Sequence, residues 1–225
     1  SVRGFRTKTQ TTGDLMSELR VVLLWNNWSE RTVAESFILG VPGLKAERSD
    51  CYFRVREQLG ENEILLINSP DVMSSNISEQ KLREHVESCV RLSDPGPHVF
   101  LLVLQPEDFT ENHRKRLCRV LQLFSDQSFE HSLILMLTPK GEENSDYMES
   151  YEKHPPLKDM MEKCAGRFLW QKNLERSQLL TRMFQIVKEN NGEYVSCDLY
   201  VDALPNVHWK TIRPKATIRK YGINK

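Results

Sequence analysis

The chain has 225 residues, with 31 Lys+Arg balanced by 31 Asp+Glu, and a length that allows one α/β core plus a tail. Zero net charge leaves no electrostatic footprint for nucleic acid. The five cysteines are scattered and never in C-x-x-C spacing, which excludes a disulfide framework or zinc knuckle, and no apolar run approaches the ~20 residues of a membrane span.

Taken in chain order, residues 1–18 are an N-terminal extension. Arg20–Leu24 is a near-continuous apolar run, the pattern of a parallel strand buried on both faces. It enters the polar turn Trp25-Asn26-Asn27-Trp28-Ser29-Glu30, followed by Arg31-Thr32 and a helix predicted over Thr32–Leu39 that closes at Gly40. This is the strand–loop–helix frame of G-x-x-x-x-G-K-[ST], whose backbone N–H groups cradle phosphates. Trp25 and Glu30 stand at its two glycine positions and Arg31 at its lysine.

Tyr52–Arg56 alternates in polarity, and Gly60 with Asn62 signals a hairpin into the strand Ile64–Ile67. A helix over Ser78–Leu92 is stopped by Ser93-Asp94-Pro95-Gly96-Pro97. The strand His98–Leu104, the helix Thr110–Phe124 and the strand Ser132–Leu137 come next. Pro139–Pro155 is polar and reads as a surface insertion, before a helix at Pro156–Cys164, a short strand at Arg167–Trp170 and a helix at Glu175–Glu189. Beyond Asn191-Gly192 the periodicity fades, so residues 193–225 read as a tail or linker outside the core. From His208 onward that tail has six basic residues and no acid. Alternating strands and helices with short connections predict a doubly wound, mostly parallel α/β sheet.

Arg20–Gly40, Glu63–Pro70 and especially Leu92–Gln105 with Phe109-Thr110-Glu111 resemble the GTPases of immunity-associated proteins, the GIMAP family. The last segment resembles that family's own signature between its third and fourth guanine motifs. The resemblance spans roughly Leu19 to Asn191, and so covers a G domain at 19–192. It implies a three-layer, Ras-like P-loop NTPase of about six strands with one antiparallel edge strand. It also implies GTP or GDP with magnesium, nucleotide-dependent dimerisation, and roles in lymphocyte survival or at intracellular membranes.

Carried over singly, the motif positions depart from the family. Trp25, Trp28 and Glu30 stand where active members have glycine, with Asn26, Asn27 and Ser29 completing the vestigial loop. An indole at position 25 is expected close to the phosphate space. A carboxylate beside a polyanion repels it by about 1 to 4 kcal/mol per charge pair at ~4 Å. Arg31 keeps the lysine's charge on a wider fork, and Thr32 is the vestigial magnesium position, although the pair reads first as an exposed helical turn. Asn68 is neutral where the D-x-x-G acid should ligand magnesium, and Asp71 replaces that motif's glycine. No threonine between Thr32 and Thr110 is available to sense a γ-phosphate. Thr138, Lys140 and Glu142 echo [NT]-K-x-D around Pro139, in what reads as an acidic solvated loop, and Asn173 is the remnant of the last motif. His85 and Cys89, four apart, read as ordinary helix surface, and His98 as structural.

The expectation is a G domain without catalytic residues, a pseudo-GTPase with little nucleotide binding. It would act in the cytoplasm as an immune-related interaction module, as a homodimer or a heterodimer with active family members. Trp25 and Trp28, if exposed, would be interface anchors. The alternatives are an atypical GTP binder with weak hydrolysis that uses Arg31, Thr32 and Glu142, and an adaptor peripheral to intracellular membranes through its basic tail.

Overall fold

The computed structural model describes residues 17–40, 53–68, 72–73, 76–141, 147–197 and 210–212. Strand β1 (Glu18–Trp25) lies in the middle of a seven-stranded sheet, and this explains its uninterrupted apolar run. It pairs in parallel with both β3 (Asn62–Asn68) and β4 (Val99–Leu104). Beyond β4 lie β5 (Ser132–Met136) and β6 (Phe168–Trp170), and beyond β3 lie β2 (Phe53–Leu59) and β7 (Lys210–Ile212). β2 runs antiparallel to β3, joined to it through Gly60 at φ 63, and β7 runs parallel to β2, so these two strands oppose the other five.

Alternating side chains of the central strands feed two cores, one on each face. Val22, Leu24, Phe100, Leu102 and Ile134 pack toward α2 (Glu79–Leu92), α3 (Glu111–Phe124) and α5 (Pro155–Lys163). Val21, Leu23, Trp25, Leu101 and Leu133 pack toward α1 (Trp28–Leu39) and α6 (Arg176–Glu189). Helix α4 (Tyr147–Glu152) completes the set.

The expected fold is therefore present, with three local differences. Helix α1 begins at Trp28 rather than Thr32, because Asn27 and Glu30 form a capping box that winds the loop into a first turn. The segment read as a surface insertion contributes α4, whose Tyr147 is buried with its ring 5.4 Å from that of Trp170. The tail returns to the sheet as β7, placing Lys210 opposite Phe53, so β2 is not the outermost strand. Three residues are too few to leave a periodic signal.

The Pro95-Gly96-Pro97-His98 turn is bolted to the start of β1. Arg20 donates through Nε to the Gly96 carbonyl at 2.6 Å, and its backbone N–H donates to His98 Nδ1 at 3.0 Å. Tyr194 covers the Arg20 guanidinium at 5.3 Å, and the Val195 N–H donates to the Pro97 carbonyl at 2.9 Å. His98 Nε2 lies 3.1 Å from Arg20 Nη2, so both ring nitrogens face N–H donors of Arg20 and the ring is held neutral. Burial first, then the neighbouring Arg20 and His131, push its pKa down to about 3. His98 is structural, as its place at the head of a buried strand suggests. His85 and Cys89 are buried rather than on the helix surface. Among the described residues, no group of three or more His, Cys, Asp or Glu side chains could hold a metal.

Candidate functional site

In a parallel sheet, ligands bind beyond the carboxyl ends of the strands, where strand order reverses. Here β1 lies between β3 and β4, and the turn Asn26–Asn27 lies at its carboxyl end. This turn is closed on itself. Glu30 Oε2 accepts the Asn26 N–H at 2.6 Å and the Asn27 N–H at 3.1 Å, while Oε1 accepts Asn27 Nδ2 at 2.9 Å. Asn27 Oδ1 in turn accepts the Glu30 N–H at 3.1 Å and the Ser29 hydroxyl at 2.5 Å. The Glu30 side chain is therefore buried, 1% exposed, and engages the loop amides that a phosphate would need.

Burial pushes the Glu30 pKa up to about 7. The amides of Asn26 and Asn27 oppose that shift, the nearby Asp108 adds to it, and the backbone of Gln105 again opposes it. A phosphate in this turn would meet carboxylates from both Glu30 and Asp108.

Trp25 does not sit over the phosphate space. Its indole belongs to the α1/α6 core and is 5% exposed, so it is no surface anchor. Its Nε1 donates to Asn68 Oδ1 at 3.2 Å, joining the first glycine position of the loop to the position of the magnesium acid. Asn68 is 0% exposed, and its Nδ2 has no hydrogen-bond partner among the described residues.

Arg31 is equally far from the exposed helical turn expected of it. It is 1% exposed, donates through Nε to Glu35 at 2.8 Å and lies 5.7 Å from the Trp25 ring. Burial raises the Glu35 pKa, and the hydrogen bond and charge of Arg31 act against that. The lysine position thus makes an internal ion pair along α1. Thr32 lines a groove of about 540 Å3 with Val33, Phe37, Gln171 and Arg176.

The loops after β4, β5 and β6 are tied together. Gln105 Nε2 donates to Glu107 at 2.7 Å and to the Thr138 carbonyl at 3.2 Å, and the Thr138 N–H donates to Gln171 Oε1 at 3.3 Å. The Lys140 N–H donates to Glu107 at 2.9 Å, and its Nζ reaches Asp108 at 3.6 Å. Two of the expected guanine-motif residues, Thr138 and Lys140, are therefore held against the turn at Pro106–Asp108. Asn173 is exposed, in a left-handed turn at φ 61. Asp71, Glu142 and the Trp28 side chain lie outside the described residues.

Sequence reading missed Glu35, Gln105, Glu107 and Gln171. It also missed the capping box, although an N-cap asparagine three residues before a glutamate is a legible signal for one. The donor set does not fit magnesium as the family motifs would hold it. Asn68 is an amide already bonded to Trp25, which leaves Thr32 as the one motif hydroxyl.

A mostly parallel, helix-covered sheet with a strand–turn–helix at its centre and three tied loops at its carboxyl edge defines a P-loop, G-domain class of protein. The solved structures agree. Toc33 from Arabidopsis thaliana in complex with GDP and Mg2+ matches with a TM-score of 0.62 at 12% identity, over 81% of this chain and 89% of that one. The chain belongs to the AIG1 family, whose model matches residues 45–213. That span begins after α1, so it leaves out the altered phosphate loop. GTPase IMAP family member 8 from Homo sapiens is 28% identical over 195 residues, which is 80% of this chain and 29% of the relative. Immune-associated nucleotide-binding protein 3 from Arabidopsis thaliana is 21% identical over 70% of this chain and 51% of its own length. The chain thus spans under a third of the human relative and about half of the plant one.

Proposed function

We propose that this G domain has left the GTPase cycle and works as a protein-interaction module in the immune setting of its relatives. The observation that carries the reading is the Trp25–Asn68 hydrogen bond. Two positions that would face phosphate and magnesium are buried and bonded to each other. Phosphoryl transfer depends on positioning and on a metal that neutralises developing charge, and an amide bonded to an indole supplies neither. The two apolar cores meanwhile remain continuous, as a binding scaffold requires.

In the chloroplast translocon components atToc33 and psToc159, of similar fold, dimerisation is important for the GTPase activity. By analogy, this chain would pair with a copy of itself or with a nucleotide-loaded relative. Cytoplasmic placement, with the basic tail beyond Ile212 touching anionic membrane, belongs to the same proposal.

The test begins with purified protein. Bound nucleotide is released and identified, and melting is followed with and without GTP and magnesium. We expect no co-purified guanine nucleotide and no shift. Ligand at a hundred times its Kd would add roughly 2.7 kcal/mol, so a shift of several degrees overturns the proposal. Sedimentation of the chain alone, and mixed with a GTP-loaded relative, tests pairing; two monomeric species in the mixture would defeat that part.

A further inference from the structure

We propose that Glu30 is a tethered anion filling an otherwise intact phosphate cradle, so that nucleotide is kept out by internal occupation rather than by loss of the cradle. This deepens the preceding reading and rests on it only for the absence of bound nucleotide. A phosphate-loop turn binds through successive backbone N–H groups converging on anionic oxygens. The amides of Asn26 and Asn27 still converge, at 2.6 and 3.1 Å, but on Oε2 of Glu30. The second oxygen is held by Asn27 Nδ2 at 2.9 Å. Both carboxylate oxygens are therefore bound by donors of this turn, as two oxygens of a phosphate would be.

The plug comes from the sequence itself. Glycine at position 30 has no side chain to reach back, whereas glutamate at the third helical position after Asn27 reaches both the N-cap amide and the one before it. Occupation and helix capping are thus one arrangement. The same contact that fills the cradle winds Trp28–Glu30 into the first turn of α1. Trp25 does not obstruct the turn, because its indole is buried in the core on the α1/α6 face. The ligand admitted once Glu30 is removed would be a phosphate chain, free pyrophosphate or the phosphates of a nucleotide.

The experiment compares the full chain with Glu30→Gly, Glu30→Gln and, as a charge control on the β2–β3 hairpin, Glu61→Gln. Pyrophosphate and a fluorescent GTP analogue serve as probes, each with magnesium. Glu30→Gly should bind the GTP analogue at least ten-fold more tightly than the unmodified chain. Glu30→Gln keeps the shape without the charge and should gain several-fold. Glu61→Gln should gain nothing. Pyrophosphate binding by Glu30→Gly shows that the phosphates suffice, and binding of the analogue alone shows that the base is needed as well; both support the reopened cradle.

If Glu30→Gly and Glu30→Gln bind no better than the unmodified chain, or if Glu61→Gln gains as much as Glu30→Gln, the inference is overturned. Should Glu30→Gly fail to fold, Glu30→Gln alone decides by the same criterion. Tight binding by the unmodified chain would defeat the proposed function instead. The inference is then judged only on the ratio between variant and unmodified chain.

Discussion

The indole N–H of Trp25 donates to the side-chain carbonyl of Asn68 at 3.2 Å, across two adjacent parallel strands and with both residues almost fully buried. A neutral hydrogen bond of this kind contributes about 1 kcal/mol net, and a double-mutant cycle on Trp25→Phe and Asn68→Ala should return a coupling of that order. Asn68→Asp restores the family's acid in name only. It places a carboxylate at a fully buried position and should cost about 1 to 3 kcal/mol, with no stabilisation on adding magnesium. Denaturant titrations with and without the metal decide this. A magnesium-dependent gain would show that the metal position survives.

The Arg31–Glu35 pair makes an opposite use of charge, being buried at 1% exposure on both sides. Removing one partner of such a pair strands the other, so Glu35→Ala should destabilise by about 3 to 5 kcal/mol. The double replacement Arg31→Met with Glu35→Leu should recover most of that loss, because it leaves neither buried charge without its partner. Chemical denaturation of the three variants is the measurement. Equal losses in the single and double variants would mean that the charges matter for something beyond each other.

Glu30 sets a pH dependence. Its pKa rises on folding from an ordinary 4.5 to about 7, so its contribution is complete below pH 4.5 and is lost as pH climbs through about 7. By pH 8 the loss amounts to about 3 kcal/mol. His98 acts at the other end. Its pKa falls from 6.5 to about 3, so its contribution is present above pH 6.5 and is lost on acidification. Stability should therefore peak in weak acid. Glu30→Gln should flatten the alkaline limb and leave the acid limb unchanged, as read by melting temperature from pH 4 to 9. An unchanged alkaline slope would assign that titration elsewhere, with Glu35 the next group whose pKa burial raises.

Gly96 adopts φ 154, and a Cβ built on it would stand 2.2 Å from the Val195 carbonyl oxygen and 2.7 Å from the Tyr194 ring. Backbone atoms cannot yield by that much locally. Gly96→Ala should cost about 3 kcal/mol, or roughly 6 to 12 °C in Tm for a domain of this size. A loss under about 1 kcal/mol would mean that the 194–195 segment moves freely off the signature turn.

Much of the fold was legible. The apolar runs at Arg20–Leu24 and His98–Leu104 are continuous because β1 and β4 are covered on both faces, and the helix stops fell at Pro95 and Gly40 where φ and missing donors dictate them. The signature Pro95–His98 marked the family through chemistry that local reading cannot see, since its partners Arg20 and Val195 lie far off in sequence. The seventh strand was illegible for lack of length, and α4 because Tyr147, Met148 and Tyr151 are too few in a mostly polar segment to set a helical period.

The sequence by itself determined that a phosphate-loop frame holds the wrong residues, because side-chain chemistry is written position by position. It placed Trp25 near phosphate and Arg31 in solvent, and both placements failed. Whether a side chain on a strand or helix turns outward or inward depends on what packs against it, and α6, Asn68 and Glu35 supply that only once the chain has folded. The tertiary structure alone decided that the loop is filled rather than open. One carboxylate oxygen meeting two backbone amides is a fact of distance, and no reading of residue types contains it.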